Sequence, residues 1–295
     1  FISVNRGKES IALDLKNEAD RAVFEKLLGV ADVLIENYRP GVMEKLRYGD
    51  EVRKDRFPRL IYAAASGFGH SGPYSARAAY DMVVQGMGGV MSLTGHPGGP
   101  PTRVGTSIGD LTAWLFTTIG INAALLHRER AGRGMKIDVA MLDCQVALLE
   151  NPVARLGALG SVPGPIGTRH PSMAPFDVFA AQDGWFVIAV GSDALFRKLC
   201  GLLQLPELAE DARFAGNALR GPLPTRVSVE SEGHRFRLLP DVDRARQWVA
   251  RSLDDERPTE IVCAVAGGPA PRLHEGDVSR QRRPQEGVAH LCDLH

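Results

Sequence analysis

The chain has 295 residues, 44 % hydrophobic and 24 % charged, and its 35 basic and 35 acidic side chains give a formal net charge of zero. That excludes a disordered chain, gives no electrostatic footprint for nucleic acid or an anionic membrane, and allows one large or two medium domains. Cys144, Cys200, Cys263 and Cys292 are far apart and form no CxxC pair, so neither a zinc site nor a disulfide framework is implied, and a reducing, cytoplasmic setting is the expectation.

Taken in chain order, residues 1 to 16 end in an alternating run with Ile11, Leu13 and Leu15 on one face, which predicts a strand flanked by Lys8 and Lys16. An amphipathic helix follows over 17–29, then a short buried parallel strand, ADVLIEN, over 31–37. A short helix over Val42 to Leu46 precedes a second strand, Arg59 to Ala65. Strands alternating with helices imply a parallel α/β sheet whose ligands sit at the carboxyl ends of the strands. The loops NYRPG (37–41) and SGFGHSGP (66–73) lie there, and neither is a GxGxxG or Walker-type phosphate loop. Each also reads as plain turn chemistry, and isolated cations such as Lys16, Arg39 and Lys45 are usually just solvated.

The stretch Gly86 to Met141 is the most informative. A loop rich in Gly, Pro and Thr runs into a long helix, with Asp110 at the junction and no other carboxylate between Asp81 and Glu129. Ser107 followed three positions later by Asp110 reads as a capping-box-like start. Leu111, Trp114, Leu115, Ile119, Leu125 and Leu126 make the helix apolar nearly all round, predicting burial on every side; His127, Arg128 and Arg130 complement its negative end, and Gly132 and Gly134 stop it. No apolar run reaches the roughly 18 residues of a bilayer span. Orphan N–H groups at the helix start are expected to favour ionised Asp110. A first-turn Asp often serves only as a cap. Here, however, Gly86, Gly88, Gly89, Gly95, Gly98 and Gly99 leave room for a ligand, and such a carboxylate suits a covalent nucleophile with backbone donors for a developing oxyanion.

Beyond it, MKIDVAML (135–142) reads as a strand and Asp143 to about Leu156 as a helix. The Pro- and Gly-rich segment 161–179 is a crossover into a hairpin, FDVFAA and WFVIAVG, turning through Gln182, Asp183 and Gly184, and Ser192 or Asp193 caps a helix through Leu203. The expected division is a partial large domain over 1–150, a crossover and small domain over 151–216, and a divergent or frame-shifted region over 217–295. In that last region ARQWVARSL (245–253) is the one clear helix. His170, His234, His274, His290 and His295 are not spaced as metal ligands, so no metal is expected.

The ordered segments SGFGHSGPY, AAYDMVVQGMGGVMSLTG, GPPTRVGTSIGDLTAW and HRERAGRGMKIDVAMLD resemble the class III CoA-transferase family, which includes carnitine and formyl-CoA transferases and the α-methylacyl-CoA racemases. The likeness runs over about residues 1 to 220. It implies a Rossmann-like large domain of parallel nucleotide-binding type with a smaller α+β second domain, and chains that thread into interlocked homodimers. It also implies transfer of CoA between an acyl-CoA and a small carboxylic acid through an aspartyl anhydride and an aspartyl-CoA thioester. The CoA thioester is then a substrate, and no cofactor is tightly bound.

The family's nucleophile falls on Asp110. CoA-contacting positions fall on Leu13, Lys16, Asn37, Tyr38 and, more loosely, Lys45, while Tyr80, Gly88 and Gly89 line the substrate site. Tyr80 stands where the racemases place a histidine base, with His70 and His96 the nearest alternatives in sequence. Arg103 is a candidate for binding the acceptor carboxylate, or else for a structural ion pair. The family normally begins with further residues and carries a GVPxGPV-like turn where this chain has GGPAPRLHEG (267–276). A racemase-like enzyme and an inactive truncated CoA-binding relative are the alternatives.

Overall fold

The computed structural model describes residues 4–180 and 185–220, together with the backbone of a short strand, Val265–Ala266. The hairpin turn at 182–184, the helix over 245–253, the segment 267–276, Cys263, Cys292, and His234, His274, His290 and His295 lie outside the described residues. Two compact units divide between Pro165 and Ile166. That division falls in the Pro- and Gly-rich crossover, later than position 150.

In the first unit, Asn17 starts α1 (Glu18–Val30) by accepting from Ala19 N through Oδ1 at 2.8 Å. Phe24 and Leu28, one turn apart, form its buried stripe. β1 (Val33–Glu36), α2 (Val42–Lys45), α3 (Asp50–Arg56) and β2 (Ile61–Ser66) follow. The sequence reading missed α3. Its apolar content is low, and its warrants are charge and one buried cation: acids open it, basic residues close it, and Arg53 bonds Asp50 at 2.7 Å and the carbonyl of Leu60 at 3.1 Å. Next come α4 (Asp81–Met87), α5 (Val90–Leu93), α6 (Ile108–Ala131), β3 (Lys136–Ala140), α7 (Met141–Ala147) and α8 (Glu150–Leu159).

The expected strand at the end of residues 1–16 does not form. Residues 8–14 have no regular structure, and Leu13 and Leu15 instead pack onto the α1 side of the core. Alternation alone cannot make a strand without a neighbour to complete its ladder. Nor does one helix run from 143 to 156. The chain turns helical at Met141, directly off β3, and breaks around Leu148 and Leu149 before resuming.

The sheet is parallel in the order β1-β2-β3, with Ile35 opposite Ala63 and Ala63 opposite Ile137. β2 is the central strand and is buried at all six positions, as a parallel strand covered on both faces is expected to be. On one face, Leu34, Tyr62 and Ala64 meet Phe24, Leu28, Met43 and Tyr48. On the other, Ala113 of α6 packs with Ile137, Val139 and Cys144.

α6 is not buried all round. Its inner face is small, with Gly109, Thr112, Ala113, Thr117 and Ala124 buried, and a Cβ at Gly120 would sit 2.9 Å from Ile137 Cγ2. Small residues let the helix lie close to the sheet, so the large side chains point away: Leu115 and Ile119 are 62 % and 63 % exposed, and Leu111 and Leu126 are exposed too. By length and composition α6 is apolar enough to cross a bilayer, although no uninterrupted apolar run announced it. Its small-residue face packs against β2 and β3. Gly132 ends it in the left-handed region (φ 70°), as expected, with its N–H returned to Arg128 O at 2.8 Å. Arg128 reaches across to Asp32 Oδ1 at 2.8 Å and does not cap its own helix.

The second unit opens with β4 (Phe176–Ala180) and β5 (Trp185–Ala189), which pair antiparallel as expected, and β6 (Val265–Ala266) joins the far side of β5. Ser192 caps α9 (Asp193–Leu202) through Oγ, which accepts from Leu195 N at 3.3 Å, and Leu195, Phe196 and Cys200 pack on Phe186 and Ile188. α10 (Glu207–Glu210) and α11 (Asn217–Arg220) close the described part.

Gly134 is the tightest point of the sheet–helix return. A Cβ there would lie 2.2 Å from the carbonyl oxygen of Leu60, which is backbone and cannot swing away. Gly134→Ala is expected to cost about 1–3 kcal/mol of unfolding free energy in denaturant titration. An unchanged midpoint would show that the return loop has slack.

Candidate active site

The start of α6 is satisfied from another helix. Ser107 occupies the N-cap position, but its hydroxyl makes no capping bond. Asp81, the first residue of α4, accepts from Gly109 N through Oδ1 at 2.8 Å. This replaces the expected capping box. The approach demands glycine, because a Cβ at Gly109 would lie 2.6 Å from Val84 Cγ2 and 3.0 Å from Asp81 Oδ1. The second oxygen of Asp81 accepts from Gln85 Nε2 at 2.8 Å, and Gln85 Oε1 accepts from Val104 N at 2.8 Å. One carboxylate and one buried amide thus tie α4, the loop before α6 and the start of α6 together.

Asp110 is the next residue of α6, with its side chain outside this clamp and open to solvent in the single chain. Its carboxyl is pushed above the ordinary aspartate range, first by desolvation and then by the charge of Asp81. The expectation that orphan N–H groups would favour its ionised form is therefore wrong. Asp81 already takes the Gly109 donor and brings a like charge with it. A carboxylate held this way is more basic, and its oxygen more nucleophilic, than a free one.

Only part of the glycine-rich stretch leaves open space. Gly88 ends α4, and a Cβ there would meet Gln145 Cβ at 2.5 Å and Val84 O at 2.7 Å, so this glycine admits α7. Gly89 adopts φ 90°, where only glycine is comfortable, and turns the chain into α5. Gly95 closes on Thr102, whereas Gly98 faces nothing within 4 Å. Behind them Gln145 is fully buried and donates to Thr112 Oγ1 at 3.0 Å. Tyr80, just before Asp81, is 79 % exposed. Arg103 forms no ion pair among the described residues; it donates to Gly105 O at 2.8 Å and braces its own loop.

Of the positions matched to CoA contacts, Asn37 and Tyr38 directly follow β1. Leu13 and Tyr38 pack on the same apolar cluster, while Lys16, Asn37 and Lys45 are exposed. Buried Glu36 fixes the start of the 37–41 loop: Oε2 accepts from Tyr38 N at 2.6 Å, and Oε1 accepts from the Tyr62 hydroxyl at 2.8 Å. Desolvation raises the carboxyl of Glu36, and burial together with Glu36 raises the phenol of Tyr62. His70 in the second loop lies beside this pair, with Nδ1 3.0 Å from Lys136 Nζ and its backbone N–H given to Asp138. A cavity of about 380 Å³ lies at the carboxyl ends of β2 and β3, lined by Phe68, Ser71, Tyr74, Asp138 and Asp143. Asp110 does not line it.

Sequence reasoning missed Asp81, Gln85, Glu36 and Gln145 as parts of this architecture. Their partners lie many residues away, and no periodicity joins them. No His, Cys, Asp or Glu grouping suited to a metal occurs among the described residues. Cys144 is buried with its thiol pushed up to about 11, mainly by desolvation, and so is poorly suited to be a nucleophile.

A family model for CoA-transferase family III matches residues 1–235. The chain belongs to that family. It is 50 % identical over 243 residues to the acetyl-CoA:oxalate CoA-transferase of Acetobacter aceti, covering 79 % of this chain and 62 % of that protein. Its identity to the succinate–glutarate CoA-transferase of Agrobacterium fabrum is 40 % over 220 residues, covering 75 % and 55 %. The chain thus spans less than two thirds of either relative. Among solved structures, a CaiB/BaiF family protein from Brucella suis matches with TM-score 0.65 and 43 % identity over 74 % of this chain and 57 % of that one. A hypothetical protein from Mycobacterium tuberculosis matches with TM-score 0.72 and 30 % identity over 90 % and 69 %. Mixed α/β content with a parallel sheet is therefore the family's fold as well as this chain's.

The raised carboxyl of Asp110 makes a stability prediction with a definite sign. Folding disfavours the ionised form, so the penalty is absent below the unfolded pKa and complete once pH exceeds the folded one. Asp110→Asn is expected to melt above wild type at neutral pH, with the gap closing towards about pH 3. A variant that melts at or below wild type at neutral pH would contradict this placement.

Proposed function

We propose that this chain transfers CoA between an acyl-CoA and a small carboxylic acid, with Asp110 as the covalent nucleophile. The supporting observation is a single carboxylate in the first turn of α6, with raised basicity, beside a clamped loop and exposed Tyr80. In the forward half-reaction an oxygen of Asp110 attacks the thioester carbonyl, the C–S bond breaks, and CoA leaves as a thiolate, giving an aspartyl acyl anhydride. CoA thiolate then attacks the aspartyl carbonyl, releasing the first carboxylate and leaving an aspartyl-CoA thioester. The acceptor carboxylate reverses the sequence and departs as its CoA thioester. Each step moves one acyl group without a redox partner, so CoA and the two acids suffice and no tightly bound cofactor is called for.

The named relatives act on oxalate, glutarate and, in Haloarcula hispanica, mesaconate, which makes a short dicarboxylic acid the first acceptor class to try. Leu13, Lys16, Asn37, Tyr38 and Lys45 are assigned to CoA, the two lysines facing its phosphates. Tyr80, Gly88 and Gly89 are assigned to the substrate side, with Gly88 and Gly89 shaping the backbone there. Arg103 keeps a weaker claim on the acceptor, since its guanidinium would have to leave Gly105 O. The racemase reading is disfavoured because a tyrosine, Tyr80, stands where the racemases place their histidine base and His70 is engaged with Lys136. The exposed apolar face of α6, with Leu111, Leu115, Ile119 and Leu126, supports an interlocked homodimer in which a second chain covers it. The Rossmann-like two-domain description and a cytoplasmic location complete the proposal.

Cleavage at Arg103 and Arg128 releases the peptide Val104 to Arg128, whose only acidic side chain is Asp110. Incubation with acetyl-CoA or succinyl-CoA, followed by hydroxylamine, is expected to give this peptide a hydroxamate mass shift that is absent in Asp110→Asn. A folded protein whose peptide stays unshifted with every acyl-CoA offered would refute the nucleophile.

A further inference from the structure

Gln85 is fully buried, and both ends of its amide are committed: Nε2 donates to Asp81 Oδ2 and Oε1 accepts from Val104 N, each at 2.8 Å. It stands alone between the loop that enters α6 and the carboxylate that caps α6 at Gly109. A buried amide has two hydrogen-bonding ends to satisfy, and leaving either unmade is costly. An apolar residue fills the same space at no such cost. The alternative uses of this amide are also closed, because α4 packs on α6 and α7 and Gly109 leaves no clearance for α4 to shift.

We propose that Gln85 is a positioning residue for Asp110, holding the loop at Val104 and the cap at Asp81 in one fixed relation so that the carboxylate meets the thioester in an attacking geometry. The proposal rests on the reading of Asp110 as nucleophile. Its physical content is that the amide couples the Val104 loop to α4, which share no other hydrogen bond among the described residues. With the amide gone, Val104 N is left without this acceptor and Asp81 loses the donor that orients its second oxygen, while the start of α6 keeps its bond to Asp81 and those from Gln145. Misplacement on the order of 1 Å costs a catalysed step about 100-fold without requiring any loss of substrate binding.

The experiment uses the full chain, acetyl-CoA or succinyl-CoA, and the rate of hydroxamate formation on the Val104–Arg128 peptide as a function of acyl-CoA concentration. Gln85→Leu is expected to keep the half-saturating acyl-CoA concentration within about threefold while the limiting adduct rate falls at least about tenfold. Gln85→Glu supplies the control that a packing role would not move. When ionised, the introduced carboxylate faces Asp81 directly, with Asp110 the next acid on the adjoining helix. When protonated, it donates to Asp81 and still accepts from Val104 N. Its adduct rate relative to wild type is therefore expected to recover as pH falls, whereas Gln85→Leu shows no such recovery. This second variant carries the test if Gln85→Leu fails to fold. A wild-type rate in folded Gln85→Leu, a loss confined to half-saturation, or a pH-independent ratio for Gln85→Glu would overturn the positioning role alone. Wild-type protein that forms no adduct would overturn the nucleophile and this proposal together.

Discussion

The hydrogen bond from Gly109 N to Asp81 Oδ1 is the constraint on which the described site depends. A helix must satisfy its first N–H groups, and α6 borrows a carboxylate from α4 to do it. Several features follow from that one choice. Position 109 must be glycine to let α4 approach, Asp81 must be oriented by Gln85, and Gln85 in turn anchors the incoming loop at Val104. Asp110 inherits a neighbouring negative charge and a carboxyl raised above its ordinary range. An acid placed to cap its own helix is relieved of that role by Asp81.

The same economy of bulk governs the sheet side of α6. The helix turns Ala113, Thr117, Gly120 and Ala124 inward against the sheet, which brings the two layers close and fixes the axis of α6. The large apolar side chains are left outward. In a parallel α/β layer a helix ordinarily hides such residues, whereas here they lie exposed on the single chain.

The parts of this account legible in the sequence are those whose physics is local or periodic. The three parallel strands, the Ser192 cap, the Gly132 stop and the hairpin were all readable, because each is specified within a few residues. So was the place of Asp110 in the first turn of α6, since a lone acid between a glycine-rich loop and an apolar helix stands out before any fold is known. What was not readable depends on partners far along the chain. Ser107 looked like a cap, but the acceptor came from Asp81, and a sequence pattern does not rank two nearby oxygens by distance. The charged α3 carries no apolar period, and the alternation of Ile11, Leu13 and Leu15 carries one but finds no ladder. Glycines that read as ligand space turned out in part to be contact points for other helices, as Gly88 is for Gln145.

The central claim is that Asp110 is held beside a carboxylate that caps its helix, and its most direct test is the ionisation of Asp110 itself. Protein carrying 13C-labelled aspartate carboxyls, with Asp110→Asn to assign the signal, gives its titration by chemical shift. The account predicts a midpoint above that of an ordinary aspartate, falling back towards it in Asp81→Asn, which keeps the shape of the side chain and removes its charge. A wild-type midpoint at or below the ordinary value, or one unmoved in folded Asp81→Asn, would contradict it.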